Sequence, residues 1–230
     1  NLLKRGNHMS FNIAIDGPAG AGKSTIARRA AAEMGFIYVD TGALYRSVAY
    51  YCITKGADVK DREKIAALLP EISPELRFID GVQHVFVNGE DVSGNIRTPE
   101  VSLGASSVSA YPEVRAFLFD LQRKIAAENN VIMDGRDIGT VVLPNAQLKI
   151  FLTASPEARA DRRFAELKDK ENAPSYEQVL ADIIKRDHDD STRAIAPLKQ
   201  AEDAVLLDTT SLDLEQSVKA VMDLVKKAVG

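Results

Sequence analysis

The chain carries a single cysteine, Cys52, so no intrachain disulfide can form. Its neighbours Tyr50, Tyr51 and Ile53 mark it as a small core filler rather than a reactive thiol. No apolar run approaches the roughly 20 residues of a membrane-spanning helix. No signal peptide is visible either, so a cytoplasmic protein away from membranes is the expectation. A basic excess is also missing: the net charge is −4, which argues against a dedicated nucleic-acid binder. Heptads of the coiled-coil type are absent, leaving a monomer as the default, and there is no internal repeat or low-complexity tract.

What remains is the ordinary balance of a globular protein, with 45% hydrophobic and 27% charged residues. At 230 residues the chain fits one generous domain, or one domain with an insertion. Residues 1–8 are polar, lack periodicity and precede Met9. They read as a non-native leader, with Met9 as the native start and a short native extension as the alternative.

Short apolar runs at 11–16, 36–40, 131–134, 148–152 and 204–207 read as strands. Helical patterns at 23–34, 43–54, 61–69, 113–127, 156–168, 176–187 and 214–228 fill the gaps between them. This alternation predicts an α/β fold, a five-stranded parallel sheet covered on both faces. Between residues 76 and 93 the texture changes. Strand candidates at 76–79, 84–87 and 90–93 are separated by Asp80-Gly81 and Asn88-Gly89, which are hairpin signals of a small antiparallel insert.

The strongest chemical signal lies between the first strand and the first helix. Gly17-Pro18-Ala19-Gly20-Ala21-Gly22-Lys23-Ser24 meets the P-loop pattern, and its strand-loop-helix context fits as well. Backbone N–H groups of such a loop form a nest for phosphate oxygens, reinforced by the helix N-terminus. Lys23 should reach the β- and γ-phosphates of ATP, and the Ser24 hydroxyl should ligand Mg²⁺. The loop identifies the donor and leaves the acceptor open.

Ligands of open α/β sheets lie beyond the carboxyl ends of the strands. Two such ends carry candidates here: Asp40-Thr41-Gly42-Ala43-Leu44-Tyr45-Arg46 and Asp134-Gly135-Arg136-Asp137. Arg46 can point back to its helix start and meet an anion, or make a surface salt bridge. Arg136 follows a glycine turn and has less structural reason to be there. A third cluster, from Arg186 to Arg193, follows Arg159, Arg162 and Arg163; a mixed charge run can also be a solvated helix face. Guanidinium groups hold phosphates bidentately, so several arginines suit an acceptor that is itself a phosphate, already ionised and needing no catalytic base.

The combination GPAGAGKST, DTGALYR, GEDVSGNIRT, MDGRDIGTVV and RAIAPL resembles the bacterial cytidylate kinases, from about Phe11 to the C-terminal helix. The resemblance implies a P-loop core over 9–65 and 108–230. It further implies a small antiparallel acceptor-binding insert over 66–107 and a lid over 159–176 that closes on ATP. It implies phosphoryl transfer from Mg-ATP to CMP or dCMP. Lys23, Arg136 and Arg193 would be catalytic, with Thr25, Arg159 and Arg163 joining the loop at ATP. Thr41, Arg46, Ser106, Arg115, Arg136, Asp137, Arg186, Asp190 and Arg193 would contact the acceptor, with Asp137, Arg115 and Ser106 near the base. Where some members have serine, this chain has Thr41, which keeps the hydroxyl.

Asp137 could accept from the cytosine amine, whereas uracil would turn a carbonyl toward it at a cost of about 1–3 kcal/mol. Two other readings compete. An adenylate or shikimate kinase shares the loop, but the Asp134-Gly135-Arg136-Asp137 and insert motifs match neither. A nucleotide-dependent switch would need a base-reading Asn-Lys-x-Asp run, which the chain lacks.

Overall fold

The computed structural model describes residues 10–230; the reading of residues 1–8 and Met9 falls outside them. Five parallel strands form the main sheet: β1 (Asn12–Asp16), β2 (Ile37–Asp40), β6 (Val131–Gly135), β7 (Leu148–Thr153) and β8 (Val205–Asp208), in the order β2-β6-β1-β7-β8. In β1, Ile13 and Ile15 point to one face and Ala14 to the other, and all three are fully buried. This is why the strand reads as continuously apolar. Ile13, Ile15, Ile132 and Ile150 pack under α1 (Lys23–Met34) and α8 (Leu214–Val229). Ala14, Val39, Val131 and Met133 pack against Ala126 of α5 (Pro112–Glu128) on the opposite face.

A second core joins α2 (Thr41–Thr54) to the insert. Leu44, Val48 and Cys52 meet Val85, Val87 and Val101 there. Cys52 is fully buried and burial pushes its thiol up to about 11, in keeping with a core filler. The insert carries an antiparallel sheet of β3 (Pro74–Ile79), β4 (Val82–Val87) and β5 (Glu90–Asp91). Asp80 and Asn88, both at positive φ, make the two turns.

Three differences from the sequence reading have physical causes. First, the antiparallel sheet occupies only 74–91 of the 66–107 range. α3 (Arg62–Leu68) precedes it, and α4 (Pro99–Val108) follows, capped by Thr98 through Val101 N–H. α4 escaped notice because its Ser- and Gly-rich sequence has a weak apolar stripe; Gly104 packs against Ala49 and Ile53 of α2. Second, β5 stops at Asp91, whose carboxylate accepts from both the N–H and the hydroxyl of Ser93 and turns the chain. Third, α7 (Tyr176–Thr192) runs past the acidic residues expected to end it. Ser191 and Thr192 donate back to the carbonyls of Asp187 and His188. α6 (Pro156–Leu167) packs on α7 through Ala160, Val179 and Ile183.

Candidate active site

A cavity of about 490 Å³ opens at the carboxyl ends of β2, β6 and β1. One wall is the phosphate loop. Gly17 is the only residue that fits its position, since a Cβ there would sit 1.9 Å from the carbonyl oxygen of Leu152. Gly20, Gly22, Lys23, Ser24 and Thr25 border the cavity, as does Ala19. Gly17, Pro18 and Ala21 lie behind it and shape the loop. The Lys23 ammonium is buried and donates to the Pro18 carbonyl at 2.7 Å. Burial first, then the neighbouring Arg136 charge, holds its pKa well below the ordinary 10.5. An anion arriving in the loop would oppose both effects by favouring the charged ammonium.

Beside the loop, the end of β6 supplies a residue that sequence reasoning passed over as a ligand. Asp134 is buried and accepts from the Ser24 hydroxyl at 3.0 Å and from the Tyr38 hydroxyl at 3.2 Å. Burial and the nearby Asp40 charge raise its pKa to about 6. A hydroxyl and a carboxylate oxygen in hydrogen-bond contact are the donor set a hard divalent cation takes. Among the described residues no group of three or more His, Cys, Asp or Glu side chains forms a protein-only metal cage. A cation held here would therefore take its remaining ligands from phosphate and water, the usual arrangement for Mg²⁺.

The other walls are cationic. Asp40 caps α2 through the Ala43 N–H and holds Arg46 at 2.7 Å. The salt bridge considered for Arg46 therefore exists, and it aims the guanidinium along the cavity. Arg136 donates to Asp190 at 2.8 Å, placing α7 against the end of β6. Burial and Arg136 together push the Arg186 pKa down. Asp190 lies below its ordinary value; burial alone would raise it, but Arg136, Arg186 and Arg193 together outweigh that. Arg193 donates from Nε to the Ala196 carbonyl at 2.6 Å, with Ala196 in the left-handed region. Its Nη2 and the Nε of Arg46 are buried without a hydrogen-bond partner among the described residues. Such donors are costly in an empty pocket and favourable beside an anion.

At the far end Arg115 pairs with Asp137, both buried, and Arg115 also donates to the Ser109 carbonyl at 3.1 Å. Its guanidinium stands 5.5 Å from the Tyr45 ring centroid. Arg193 lies 3.9 Å from the second Asp137 oxygen, too far for a hydrogen bond, so that oxygen keeps accepting capacity. Ser106 borders the same end from α4. Asp137 is free to face inward because another residue caps its turn. Asp16, at the end of β1, accepts from the N–H groups of Ile138 at 2.8 Å and Gly139 at 2.7 Å. The five residues Ile138–Val142 form one π-helical turn there. A Cβ at Gly135 would lie 2.7 Å from Ile138 Cδ1 and 2.9 Å from Thr41 Oγ1, so any side chain there would displace both residues.

The structure thus gathers Lys23, Ser24, Thr25, Thr41, Arg46, Ser106, Arg115, Arg136, Asp137, Arg163, Arg186, Asp190 and Arg193 around one cavity. Two of the candidates are placed differently from the rest. Thr41 borders the cavity, but its hydroxyl proton is committed to the Asp134 carbonyl at 2.8 Å, so toward a ligand it is an acceptor only. Arg159 is 2% exposed and lies behind the phosphate loop, outside the cavity; its guanidinium is occupied by Ala154, Ala19 and Asp187. The first turns of α6 are anchored, Arg162 included, which donates to the Thr209 carbonyl at 2.6 Å. Asp40, Asp134 and Tyr45 also line the cavity; they belong to the two strand-end segments singled out in the sequence, which assigned them no individual role. The two aspartates had a signal in the sequence, each closing an apolar strand.

A phosphate-binding loop facing several arginines across one cleft defines a P-loop phosphotransferase whose acceptor is itself phosphorylated. The family model described as cytidylate kinase matches residues 13–227. The chain belongs to the cytidylate kinase family. A cytidylate kinase of Caldicellulosiruptor bescii is 52% identical over 219 residues, covering 95% of this chain and 97% of its own. One of Carboxydothermus hydrogenoformans is 50% identical over 215 residues, 94% and 97% of the two chains. An uncharacterized protein from Eubacterium ventriosum superposes with a TM-score of 0.52 over 96% of this chain and 98% of its own, at 12% identity, and supports the fold alone.

Proposed function

We propose that the chain transfers the γ-phosphoryl group of Mg-ATP to the 5′-phosphate of CMP or dCMP, giving ADP and CDP or dCDP. The observation that carries this is the single cavity with the phosphate loop at one end and the Arg115–Asp137 pair at the other. The loop backbone and Lys23 hold the β- and γ-phosphates. Arg46, Arg136 and Arg193 neutralise and aim the acceptor phosphate, whose oxygen is already ionised. Asp137 accepts from the cytosine amine and Arg115 donates to the ring, while Arg186 and Asp190 face the ribose and phosphate side. Ser24 and Asp134 would hold Mg²⁺, which when bound neutralises phosphate charge.

In this reading Arg163 reaches the donor nucleotide. The part of the 159–176 segment beyond Arg163 closes over ATP and keeps water from the transferring group. A core over 9–65 and 108–230 with an acceptor-side insert, acting as a cytoplasmic monomer, completes the proposal. Among the described residues no helix is long and apolar enough to cross a membrane.

The test is a coupled ADP-release assay with ATP against CMP, dCMP, UMP, AMP, GMP and shikimate. CMP and dCMP should give the highest kcat/KM; a higher value for AMP or shikimate would reject the reading. In the same assay Asp137→Ala should lower the CMP-to-UMP ratio by roughly tenfold, the loss of one base hydrogen bond. An unchanged ratio would place base reading elsewhere.

A further inference from the structure

Arg159 makes no contact with the cavity, yet it spends four donor hydrogens on three separate segments. Its Nε donates to the Ala154 carbonyl at 2.9 Å, which anchors the side chain at the end of β7. One Nη1 hydrogen reaches the Ala19 carbonyl, in the apex of the phosphate loop, at 3.0 Å. The other Nη1 hydrogen and one from Nη2 form a fork on the Asp187 carboxylate at 2.9 and 2.5 Å. The Arg159 stem also lies beside the loop: a Cβ built on Gly20 would be 3.6 Å from Arg159 Cβ. Asp187 belongs to α7, directly after Arg186 and three residues before Asp190. Asp190 in turn accepts from Arg136 across the cleft. One continuous path of charge-assisted hydrogen bonds therefore runs from the donor loop, behind the cavity, to the helix that carries the acceptor-side groups.

We propose that Arg159 is a positioning residue that sets the distance and angle between the phosphate loop and α7, so that donor and acceptor phosphates meet in line. This rests on the phosphotransfer reading above. A planar fork suits the role because it fixes two partners in one plane, which a lysine ammonium cannot do. In phosphoryl transfer between two anions, alignment supplies most of the catalysis. A loosened link should therefore slow turnover while leaving each substrate's own contacts intact.

The experiment is steady-state kinetics on the full chain, with Arg159→Lys, Asp187→Asn and the double variant, varying ATP and CMP separately. Arg159→Lys should lower kcat by roughly 10- to 100-fold, the scale of an ångström of misalignment. The KM values for ATP and CMP should stay within about threefold of wild type. Asp187→Asn should act in the same direction, and the double variant should be no slower than the worse single one, since both cut one path. Asp187 is one-quarter exposed, so its variant carries the test if Arg159→Lys does not fold. A raised KM for ATP at unchanged kcat would make Arg159 a direct donor ligand and overturn the proposal. Wild-type kcat in Asp187→Asn would overturn it too. Failure of the phosphotransfer reading itself is separate: it would show as a wild-type enzyme inactive on CMP.

Discussion

The donor and acceptor halves of the cleft are built in opposite ways. The donor half is one run of eight residues, Gly17 to Ser24, whose backbone geometry makes the anion nest. The acceptor half is drawn from α2, α4, α5, the end of β6 and α7, so that Arg46 and Arg193, 147 positions apart in sequence, line one cavity. The difference teaches where a substitution acts. In the donor half one side chain, Lys23, carries most of the charge. In the acceptor half three arginines are held by carboxylates, Arg46 by Asp40, Arg115 by Asp137 and Arg136 by Asp190, while Arg193 is held by a carbonyl, and the load is spread.

The largest effect should come from the donor half. Lys23→Ala should lower kcat/KM by roughly a thousandfold or more, the scale of removing a phosphate-bound cation in such transfers. CMP binding, followed by calorimetry, should change little; a comparable loss of CMP affinity would break the division between the halves. Arg136→Ala comes next. It should cost roughly a hundredfold in kcat/KM for CMP, as for one transition-state charge donor. Its KM for ATP should stay within about threefold, and equal losses toward both substrates would sink the acceptor assignment.

The smallest effect concerns the seam between the halves and is read in stability rather than turnover. Asp16 belongs to the donor strand but caps the acceptor turn, and burial raises its pKa from 3.8 to about 6. Between those values the folded chain binds more protons than the unfolded one, so this group's contribution to stability falls as pH rises. The whole change is at most about 3 kcal/mol. In Asp16→Asn it is absent. Urea unfolding should show wild type losing stability relative to the variant between about pH 4 and pH 7. Parallel curves would mean that Asp16 titrates normally.

Much of this was legible beforehand for a local reason. Strand and helix existence follow from the spacing of apolar residues, and all five parallel strands lie within a residue or two of expectation at each end. The phosphate loop is legible because its chemistry is contiguous. α4 was not, since its apolar stripe is weak and the close approach of Gly104 to α2 is a tertiary contact. The continuation of α7 depends on hydroxyl back-bonds and on Asp190 finding Arg136. Arg159 shows the limit most clearly. The family resemblance implies an ATP contact for it, and nothing local says that Ala19 and Asp187 occupy its guanidinium.

By itself, then, the order of residues determined the element rhythm, the anion nest at Gly17 to Ser24 and the abundance of arginine, because these depend on neighbours a few positions apart. Only the tertiary structure decided which arginines face the cleft and which serve as struts, and that Asp134 joins Ser24 as an oxygen donor. Those outcomes depend on burial and on partners more than a hundred positions away, as with Ser24 and Asp134. A guanidinium or carboxylate takes whichever partner the fold brings within hydrogen-bond reach.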